Sequence, residues 1–282
     1  MPSPVIELHN VSYTYPDGTE ALKNITAKIF EGESVAIAGP NGAGKSTLLL
    51  IMGGLLAPSS GEVKIFGKKI DGKMISNAKK MYEVRKKMGI VFQDPDVQLF
   101  SSTVRDDVAF GPIHLGMSMD EVESKVSDTL KFLGLEHVAE KHPYELSGGE
   151  KRKAAIATVL VSSPDVLLLD EPTADLDPKS RKEFVELLKK LKDGGKTIVI
   201  ATHDMEMLPE IAEKIFVIDR ENITEGNLRD VLMDEKLLEE ANLDVPLVAR
   251  LFKMLENSGI NCDEISFDIG SATEKMAEML SD

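Results

Sequence analysis

The sequence has few of the features that mark disulfide-bonded, zinc-binding or membrane-spanning proteins. It contains a single cysteine, Cys262, which excludes an internal disulfide and a thiolate metal cluster. The five histidines are scattered along the chain and lack the i, i+4 spacing of a helical zinc site. The longest apolar stretch, residues 48–57, is much shorter than the roughly 18–20 residues of a transmembrane helix, and the N-terminus lacks a signal-peptide pattern. We therefore expect a cytosolic protein without a structural metal.

Basic residues are also in short supply. The chain of 282 residues has 33 Lys and Arg against 48 Asp and Glu, for a formal net charge of -15. This balance opposes a general attraction to nucleic-acid phosphates or anionic lipids, so nucleic acid is not an expected partner. Residues 227–282 alone carry 13 acidic and 5 basic side chains. That excess sets the C-terminal part of the chain apart as an acidic region.

Short β-rich runs alternate with helical patterns along most of the sequence. The runs lie at residues 6–13, 34–38, 62–66, 88–92, 166–169, 197–201 and 214–219. Those at 166–169 and 197–201 are continuously apolar, which is typical of central parallel strands covered by helices on both faces. The alternation predicts an α/β fold.

Helical periodicity defines further parts of the chain. Asp177 is placed to cap a helix that begins at Pro178. Residues from about 103 to 160 show helical spacing without a comparable strand, which predicts an inserted helical subdomain. Apolar residues also recur at helical spacing within the acidic region: Leu247, Val248, Leu251, Phe252 and Leu255. We therefore divide the chain into a nucleotide-binding domain, residues 1–225, and a partly helical C-terminal acidic extension, residues 226–282.

A glycine-rich loop follows a predicted strand and precedes an apolar helix, which is the context that a phosphate loop requires. Its residues are Gly39, Pro40, Asn41, Gly42, Ala43, Gly44, Lys45, Ser46 and Thr47. Gly42 and Gly44 let the backbone bend so that N–H groups face phosphate, and Lys45 is placed to contact the β- and γ-phosphates. Ser46 can supply a hydroxyl to Mg²⁺, and Thr47 can help to hold phosphate. The loop predicts binding of a nucleoside triphosphate with Mg²⁺.

Two carboxylates follow the buried strand at 166–169, as in a Walker B element. Asp170 is placed to hold Mg²⁺ through its water shell, and Glu171 to polarise an attacking water. The alternative is that both residues only end the strand. His203 follows the next strand, where it could contact the γ-phosphate and orient the water; the alternative is an ordinary solvated histidine. The implied reaction is hydrolysis.

A short motif about twenty residues before Asp170 resembles the signature of ATP-binding-cassette ATPases. Its residues are Leu146, Ser147, Gly148, Gly149 and Glu150. Ser147 begins a helix whose exposed N–H groups can bind phosphate. The resemblance covers residues 6–225 and implies a phosphate-loop fold, with a mixed sheet flanked by helices, that hydrolyses ATP. It also implies a head-to-tail dimer in which each signature closes on the ATP of the other subunit. Glu150 departs from the usual Gln, and its charge is expected to repel ATP slightly.

The same resemblance assigns roles to further residues. It implies that Tyr15 stacks on adenine; the alternatives are Tyr13 or an ordinary turn aromatic. Gln93 corresponds to the glutamine that contacts Mg²⁺ and the water and links the site to a membrane partner; the alternative is an ordinary solvent-exposed glutamine. Asp175 and Asp177 match the loop that runs along the dimer interface, and the alternative for Asp177 is the helix cap described above.

Residues 93–100 and 103–116 resemble the energy-coupling-factor importers, and among these the cobalt-import ATPases. In such importers two ATPase subunits, identical or paralogous, grip a helical transmembrane coupling protein that moves a membrane substrate-binding subunit. The resemblance implies a peripheral protein on the cytoplasmic face of the cell membrane that drives uptake of cobalt, with nickel as a related ion. A vitamin such as biotin, riboflavin or thiamine is the alternative cargo, and a soluble ATPase without a transport role is the alternative function.

The segment after Gln93 needs an apolar anchor for the coupling protein. Val97, Leu99 and Phe100 are predicted to seat one of its helices; the alternative is that they belong to the core of the helical subdomain. Residues 110–112 are predicted to be structural. The helical stripe of the acidic extension could pair with a second subunit, dock on the ATPase body or receive a regulatory ligand. Of these we favour a role in holding two subunits together.

Overall fold

Two β-sheets form the framework of the protein in a computed structural model, which describes residues 3–219, 222–259, 266–267 and 269–279. The strands in these residues are β1 (Pro4–Thr14), β2 (Glu20–Phe30), β3 (Ser34–Ala38), β4 (Ser60–Ile65), β5 (Lys68–Ile70), β6 (Met88–Val91), β7 (Val166–Asp170), β8 (Thr197–Thr202), β9 (Lys214–Asp219) and β10 (Asn222–Asn227). The helices are α1 (Lys45–Met52), α2 (Gly72–Ile75), α3 (Ala78–Arg85), α4 (Val104–His114), α5 (Met119–Leu133), α6 (Gly148–Leu160), α7 (Pro178–Asp193), α8 (Leu208–Ile211), α9 (Leu228–Met233), α10 (Glu235–Glu240), α11 (Leu247–Asn257) and α12 (Ile269–Met279).

The larger sheet is mixed and carries the site. Its strand order is β10-β9-β3-β8-β7-β6. The pairs β9–β3, β3–β8, β8–β7 and β7–β6 are parallel, whereas β10 is antiparallel to β9. Every residue of β3, β7 and β8 is buried, as their continuous apolar sequences require. The predicted α/β fold with a mixed sheet flanked by helices is confirmed.

The smaller sheet is antiparallel, with the order β2-β1-β4-β5. All of the predicted strands are present with ends that shift by up to two residues, but the sequence prediction missed β2, β5 and β10. In β2, Ile25, Ala27 and Ile29 are buried while the residues between them are exposed. This alternation is the mark of a strand with one face on the core. The polar residues on its outer face concealed it from a search for apolar runs.

Residues 104–160, all of which the structure describes, form α4, α5, α6 and two 3-10 turns without a strand. α5 begins at Ser118, whose side chain and that of Glu121 cap each other's backbone N–H, and it ends at Gly134 with φ 69°. Its inner face is fully buried and packs in the same core as α4 and α6: Val122, Val126, Leu130 and Leu133. This helical unit is inserted in the sequence between β6 and β7, and it packs in the same core as the larger sheet.

Four short helices, α9 to α12, make up the described part of the acidic extension. Phe252 of α11 is fully buried, and it packs with Ala272 of α12 and with the half-buried Val248 and Leu255. Two other members of the predicted apolar stripe, Leu247 and Leu251, remain 67% and 42% exposed. The stripe is therefore divided between a small core and the surface. Cys262 lies outside the described residues.

None of the described helices combines the length and the apolar character that crossing a membrane requires. The longest of them, α7, has 16 residues and exposes lysines along its length. Within the same residues, no group of three or more His, Cys, Asp or Glu side chains is placed to hold a metal ion.

Candidate active site

The glycine-rich loop between β3 and α1 folds around two positive φ angles. Gly42 has φ 82° and Gly44 has φ 97°. A Cβ atom on Gly44 would also lie 2.5 Å from the carbonyl oxygen of Ala21, so this position requires glycine twice over. Gly44 is the N-cap of α1, and no side chain caps the helix. The N–H groups of the first turn are therefore left for an anion.

Lys45, the first residue of α1, is 7% exposed and folds back over the loop. Its Nζ atom donates hydrogen bonds to the carbonyl oxygens of Gly39, at 2.7 Å, and Pro40, at 3.2 Å. It also lies 3.8 Å from Oε1 of Glu171. Burial lowers the pKa of the Lys45 ammonium, while attraction to Glu171 and Asp170 acts in the opposite direction. The loop thus holds a cation that is largely withdrawn from solvent.

Asp170 ends β7 beside the start of α1. It is 8% exposed, and its Oδ1 atom has no hydrogen-bond partner among the described residues. Burial raises the pKa of Asp170, whereas the neighbouring Ser46 hydroxyl lowers it. An orphaned carboxylate oxygen next to a hydroxyl supplies hard oxygen donors, the kind that Mg²⁺ prefers. The residues present therefore fit this ion.

Glu171 occupies a strained position directly after β7, with φ 41°. Its Oε2 atom accepts a hydrogen bond from the Thr202 hydroxyl at 2.8 Å. Its Oε1 atom accepts one from the backbone N–H of His203 at 3.1 Å and lies 2.8 Å from Nδ1 of the same residue. These bonds hold the carboxylate in one orientation. Glu171 is only 6% exposed, whereas the imidazole of His203 reaches solvent.

A cavity of about 400 Å³ brings most of the predicted site together. Its walls include Asn41, Gly42, Gly44, Lys45, Ser46, Thr47, Tyr15, Gln93, Glu171 and His203. Four predicted site residues are not part of this lining, namely Gly39, Pro40, Ala43 and Asp170. Residues 19–21, at the start of β2, also line the cavity; they escaped the sequence prediction because β2 itself did.

Tyr15 stands at the mouth of this cavity and is 36% exposed. Its hydroxyl lies 2.8 Å from Oγ1 of Thr47, so it is attached to α1. The ring meets that of Tyr13 edge to face, with the centroids 4.9 Å apart. Of these two aromatic residues, it is Tyr15 that lines the cavity, which is where the sequence prediction placed the adenine contact.

The signature motif lies elsewhere, at the start of α6, and none of its residues lines the cavity described above. Ser147 is the N-cap of this helix, and Leu146 is buried behind it. A Cβ atom on Gly149 would approach Oγ of Ser180 to 2.5 Å, so glycine allows α6 to pack against the start of α7. Ser147 and Gly148 face outward, with Gly148 free of close neighbours.

Glu150 completes the cap of α6 instead of projecting freely. Its Oε2 atom accepts hydrogen bonds from the hydroxyl of Ser147 at 2.7 Å and from the backbone N–H of Ser147 at 2.9 Å. Its Oε1 atom lies 3.0 Å from Nε2 of His137. The bonds from Ser147 lower the pKa of Glu150, and His137 adds to this effect. The carboxylate is thus engaged within its own chain, a role that the expected repulsion of ATP did not consider.

Asp177 is the N-cap of α7, in agreement with the helix-cap alternative. Its Oδ1 atom accepts from the backbone N–H groups of Lys179 and Ser180, and Oδ2 accepts from the Ser180 hydroxyl. Asp175, two residues earlier, has φ 60° and forms the turn that leads into this cap. Neither aspartate lines the cavity of about 400 Å³ described above.

Arg152, which the sequence prediction missed, ties three parts of the site together. It lies on α6 and is 4% exposed. Its Nη1 atom donates to the carbonyl oxygens of Phe92, at 3.1 Å, and Gln93, at 2.6 Å, and Nη2 donates to that of Ala174 at 3.3 Å. The signature helix is thereby joined both to the Gln93 segment and to the loop before α7.

We expect Arg152→Gln to lower the free energy of unfolding by about 2 kcal/mol, because three carbonyl groups lose a charged donor that is itself buried. Urea denaturation followed by circular dichroism measures this change. Arg105→Gln is the matched control, since Arg105 pairs with Glu140 on the surface and its loss costs under about 1 kcal/mol. Equal losses of unfolding free energy in the two variants would contradict a stabilising role of the hydrogen bonds from Arg152.

An exposed apolar patch adjoins the Gln93 segment. Val97 and Phe100 are 66% and 64% exposed, as a surface anchor would need, whereas Leu99 is buried in the core of the helical unit, in agreement with the alternative for that residue. Phe110 was predicted to be structural, but it is 43% exposed and meets Phe100 edge to face at 4.9 Å. Ile113, one turn later on α4, is 44% exposed. The apolar patch therefore comprises Val97, Phe100, Phe110 and Ile113.

Comparison with known proteins gives a consistent picture. The ABC transporter family model matches residues 22–174. The energy-coupling factor transporter ATP-binding protein EcfA of Methanocaldococcus jannaschii is 43% identical over 279 residues, which cover 99% of each chain. Among solved structures, cbiO1 from Clostridium perfringens, part of the ABC transporter complex cbiONQ, is 40% identical with a TM-score of 0.73 over 89% of this chain and 99% of its own. A dimeric post-hydrolysis structure of the ATP-binding cassette MJ0796 with ADP and Pi is 36% identical, with a TM-score of 0.72 over 79% of this chain and 99% of its own.

Proposed function

The chain belongs to the ABC transporter family, and from this premise we propose that it is the ATP-hydrolysing motor subunit of an energy-coupling-factor importer. The observation that carries the chemistry is the cavity in which Lys45, Glu171 and His203 meet. A cation, a fixed carboxylate and a helix N-terminus around one space are the parts that phosphoryl transfer to water needs.

In the proposed reaction, water attacks the γ-phosphate of ATP and releases ADP and phosphate. Lys45 and the free N–H groups of α1 bind the phosphate oxygens. Glu171 takes the proton of the attacking water, while Thr202 and His203 keep its carboxylate in place. Ser46 and Asp170, together with Gln93, would hold Mg²⁺, whose charge offsets that of the phosphates when it is bound. Tyr15 would stack on adenine.

We propose that two such subunits work head to tail, as identical copies or as paralogues. The signature of one chain lies away from its own cavity and presents exposed residues at the start of α6, which leaves it for the ATP of the other subunit. Asp175 and Asp177 match the family's interface loop. They come just before α7, whose first turn packs against the signature at Gly149. Leu247, Leu251 and Met254 form an exposed stripe on α11 that a second copy would cover.

The membrane partner in this proposal is a helical transmembrane coupling protein with a substrate-binding subunit, which places the ATPase on the cytoplasmic face of the membrane. The apolar patch supports this, because a helix laid on Phe100 and Phe110 would bury both rings. Arg152 and Gln98 tie the same segment to α6, so that movement of the signature helix is passed to the patch. We propose cobalt, with nickel as a related ion, as the cargo, on the resemblance of residues 93–100 and 103–116 to the cobalt-import ATPases.

We expect Phe100→Ser to reduce recovery of the protein with native membranes at least fivefold and to leave the ATPase rate of the isolated protein unchanged. The reason is that an apolar anchor is lost while none of the residues that line the cavity is changed. Co-purification of the tagged protein from gently solubilised membranes, with mass spectrometry of its partners, measures the effect and identifies the substrate-binding subunit.

Phe132→Ser is the matched control, because Phe132 is 54% exposed but lies on α5, outside the apolar patch. It should leave membrane recovery unchanged. If only soluble proteins co-purify with the unaltered chain, the importer assignment fails while the ATPase assignment stands.

A further inference from the structure

A second cavity, of about 500 Å³, lies where the acidic extension meets the ATPase core. Lys192 at the end of α7 and Glu213 before β9 line it from the core. Arg229 of α9, Phe267 and Lys275 of α12 line it from the extension. Its volume is in the range of about 300–1,000 Å³ that is typical of small-molecule sites. We refer to it as the junction cavity.

The buried hydroxyl of Ser266 indicates that the junction cavity holds a ligand. The residue lines the cavity and is 3% exposed, yet its Oγ atom has no hydrogen-bond partner in the part of the chain that the structure describes. A buried hydroxyl without a partner lowers stability, so such groups are uncommon in folded proteins. A ligand atom in the adjacent space would satisfy it.

The charged groups around the junction cavity favour an anion. Three basic residues line it, Lys192, Arg229 and Lys275, together with two acidic residues, Glu213 and Glu274. The carboxylate of Glu213 already pairs with Lys192 at 2.7 Å. Arg229 lies over the ring of Phe267, 5.9 Å from its centroid, and forms no ion pair with a described residue. Two of the five basic residues of a strongly acidic extension thus lie at one cavity.

The remaining wall is apolar. Leu228 and Leu232 of α9 and Phe267 are all buried and line the same space. A ligand that fits must therefore combine a charged end near Arg229 with an apolar body. We propose that the junction cavity binds a small organic anion, a phosphate or carboxylate with an apolar body, and that its occupant joins the extension to the ATPase core. This site is independent of the importer assignment.

Phenyl phosphate is the probe that tests the proposal. Calorimetric titration of the full chain, with Mg·ADP present at saturation to occupy the phosphate loop, should show one site per chain that binds it at least tenfold more tightly than inorganic phosphate or phenol. Arg229→Gln should weaken this binding at least tenfold. Arg250→Gln, which changes a surface residue of α11 that pairs with Asp244, should leave it unchanged.

Ser266→Ala separates a ligand role from a structural one. Because it removes an unsatisfied buried hydroxyl, the variant should melt at the same temperature as the unaltered protein or at a higher one, and it should still bind phenyl phosphate at least threefold more weakly. A purely structural serine would leave the affinity unchanged. Absence of binding up to 10 mM probe (roughly the weak limit of specific sites), or equal affinity in Arg229→Gln and the unaltered protein, would overturn the proposal.

Discussion

Replacing Glu171 with Gln is expected to lower the rate of ATP hydrolysis by about 10²–10⁴-fold, the usual contribution of a general base, while ATP remains bound. Gln keeps the size of the side chain, its oxygen can accept from the backbone N–H of His203, and its NH2 group can donate to the hydroxyl of Thr202. It cannot take a proton from water. The variant should therefore retain the site and lose the chemical step.

Phosphate release at saturating ATP and Mg²⁺ measures the rate, and light scattering during size-exclusion chromatography measures the mass of the ATP-bound species. We expect Glu171→Gln to run as a dimer in the presence of ATP, because hydrolysis no longer reopens the pair of subunits. Glu186→Gln is the matched control, since Glu186 lies on the surface of α7 with its side chain 52% exposed. A Glu171→Gln variant that hydrolyses ATP near the parental rate would assign the base to another group.

The convergence of the site could be predicted from local sequence patterns and one topological rule. Lys45, Glu171 and His203 each follow a buried parallel strand, namely β3, β7 and β8. These strands are neighbours in the sheet, and the carboxyl ends of neighbouring parallel strands lie at one edge. The three strands are apolar runs in the sequence, so the glycine-rich loop after β3 and the residues directly after β7 and β8 were expected at one edge of the sheet.

The contacts that join the site to the rest of the molecule could not be predicted in this way. Arg152 lies in a run of three basic residues, 151–153, which has the composition of a solvated helix face. Only the packing of α6 against two loops places its buried guanidinium beside the carbonyl groups of those loops. Glu150 is different: its capping partner, Ser147, lies only three residues earlier, and this spacing is a capping-box pattern that the sequence analysis overlooked. Partners distant in sequence decide the role of Arg152 and add the contact between Glu150 and His137.

The sequence pattern also could not predict which apolar residues are exposed to solvent. Leu99 and Phe100 are adjacent, and both are apolar, yet one is buried and the other exposed. The backbone turn that separates them is held by Asp107, whose Oδ1 atom accepts from the N–H groups of Phe100 and Ser101. This buried carboxylate on α4 therefore fixes the direction of the Phe100 side chain, and the sequence pattern contains no sign of it.

Replacing Lys45 with Ala is expected to weaken ATP binding about 100-fold. A hydrogen bond from a charged donor contributes up to about 3 kcal/mol, which corresponds to about two decades in the dissociation constant. Lys45 is also the cation beside Asp170 and Glu171, with its Nζ atom 3.8 Å from Glu171. Without it, the two carboxylates and the phosphates lose one of the positive charges between them, which adds to the loss.

Equilibrium titration with a fluorescent ATP analogue measures the affinity, and thermal unfolding shows whether the loop has kept its fold. Lys69→Ala serves as the control, because Lys69 is 61% exposed and pairs with Glu62 on the smaller sheet. Its affinity for ATP should match that of the unaltered protein. Unchanged ATP binding in Lys45→Ala would show that the helix N-terminus holds the phosphates alone.

The comparison of the two variants separates binding from chemistry. Glu171 accepts hydrogen bonds from β8 and the residue after it, whereas Lys45 is held by the carbonyl groups of its own loop. Each side chain is therefore positioned without the other, and each can be removed while its partner stays in place. Lys45→Ala should lose affinity, and Glu171→Gln should lose rate at full occupancy. If both variants instead lost affinity alike, the pair would act as one phosphate-binding unit, and the water-activating group would have to come from elsewhere in the cavity.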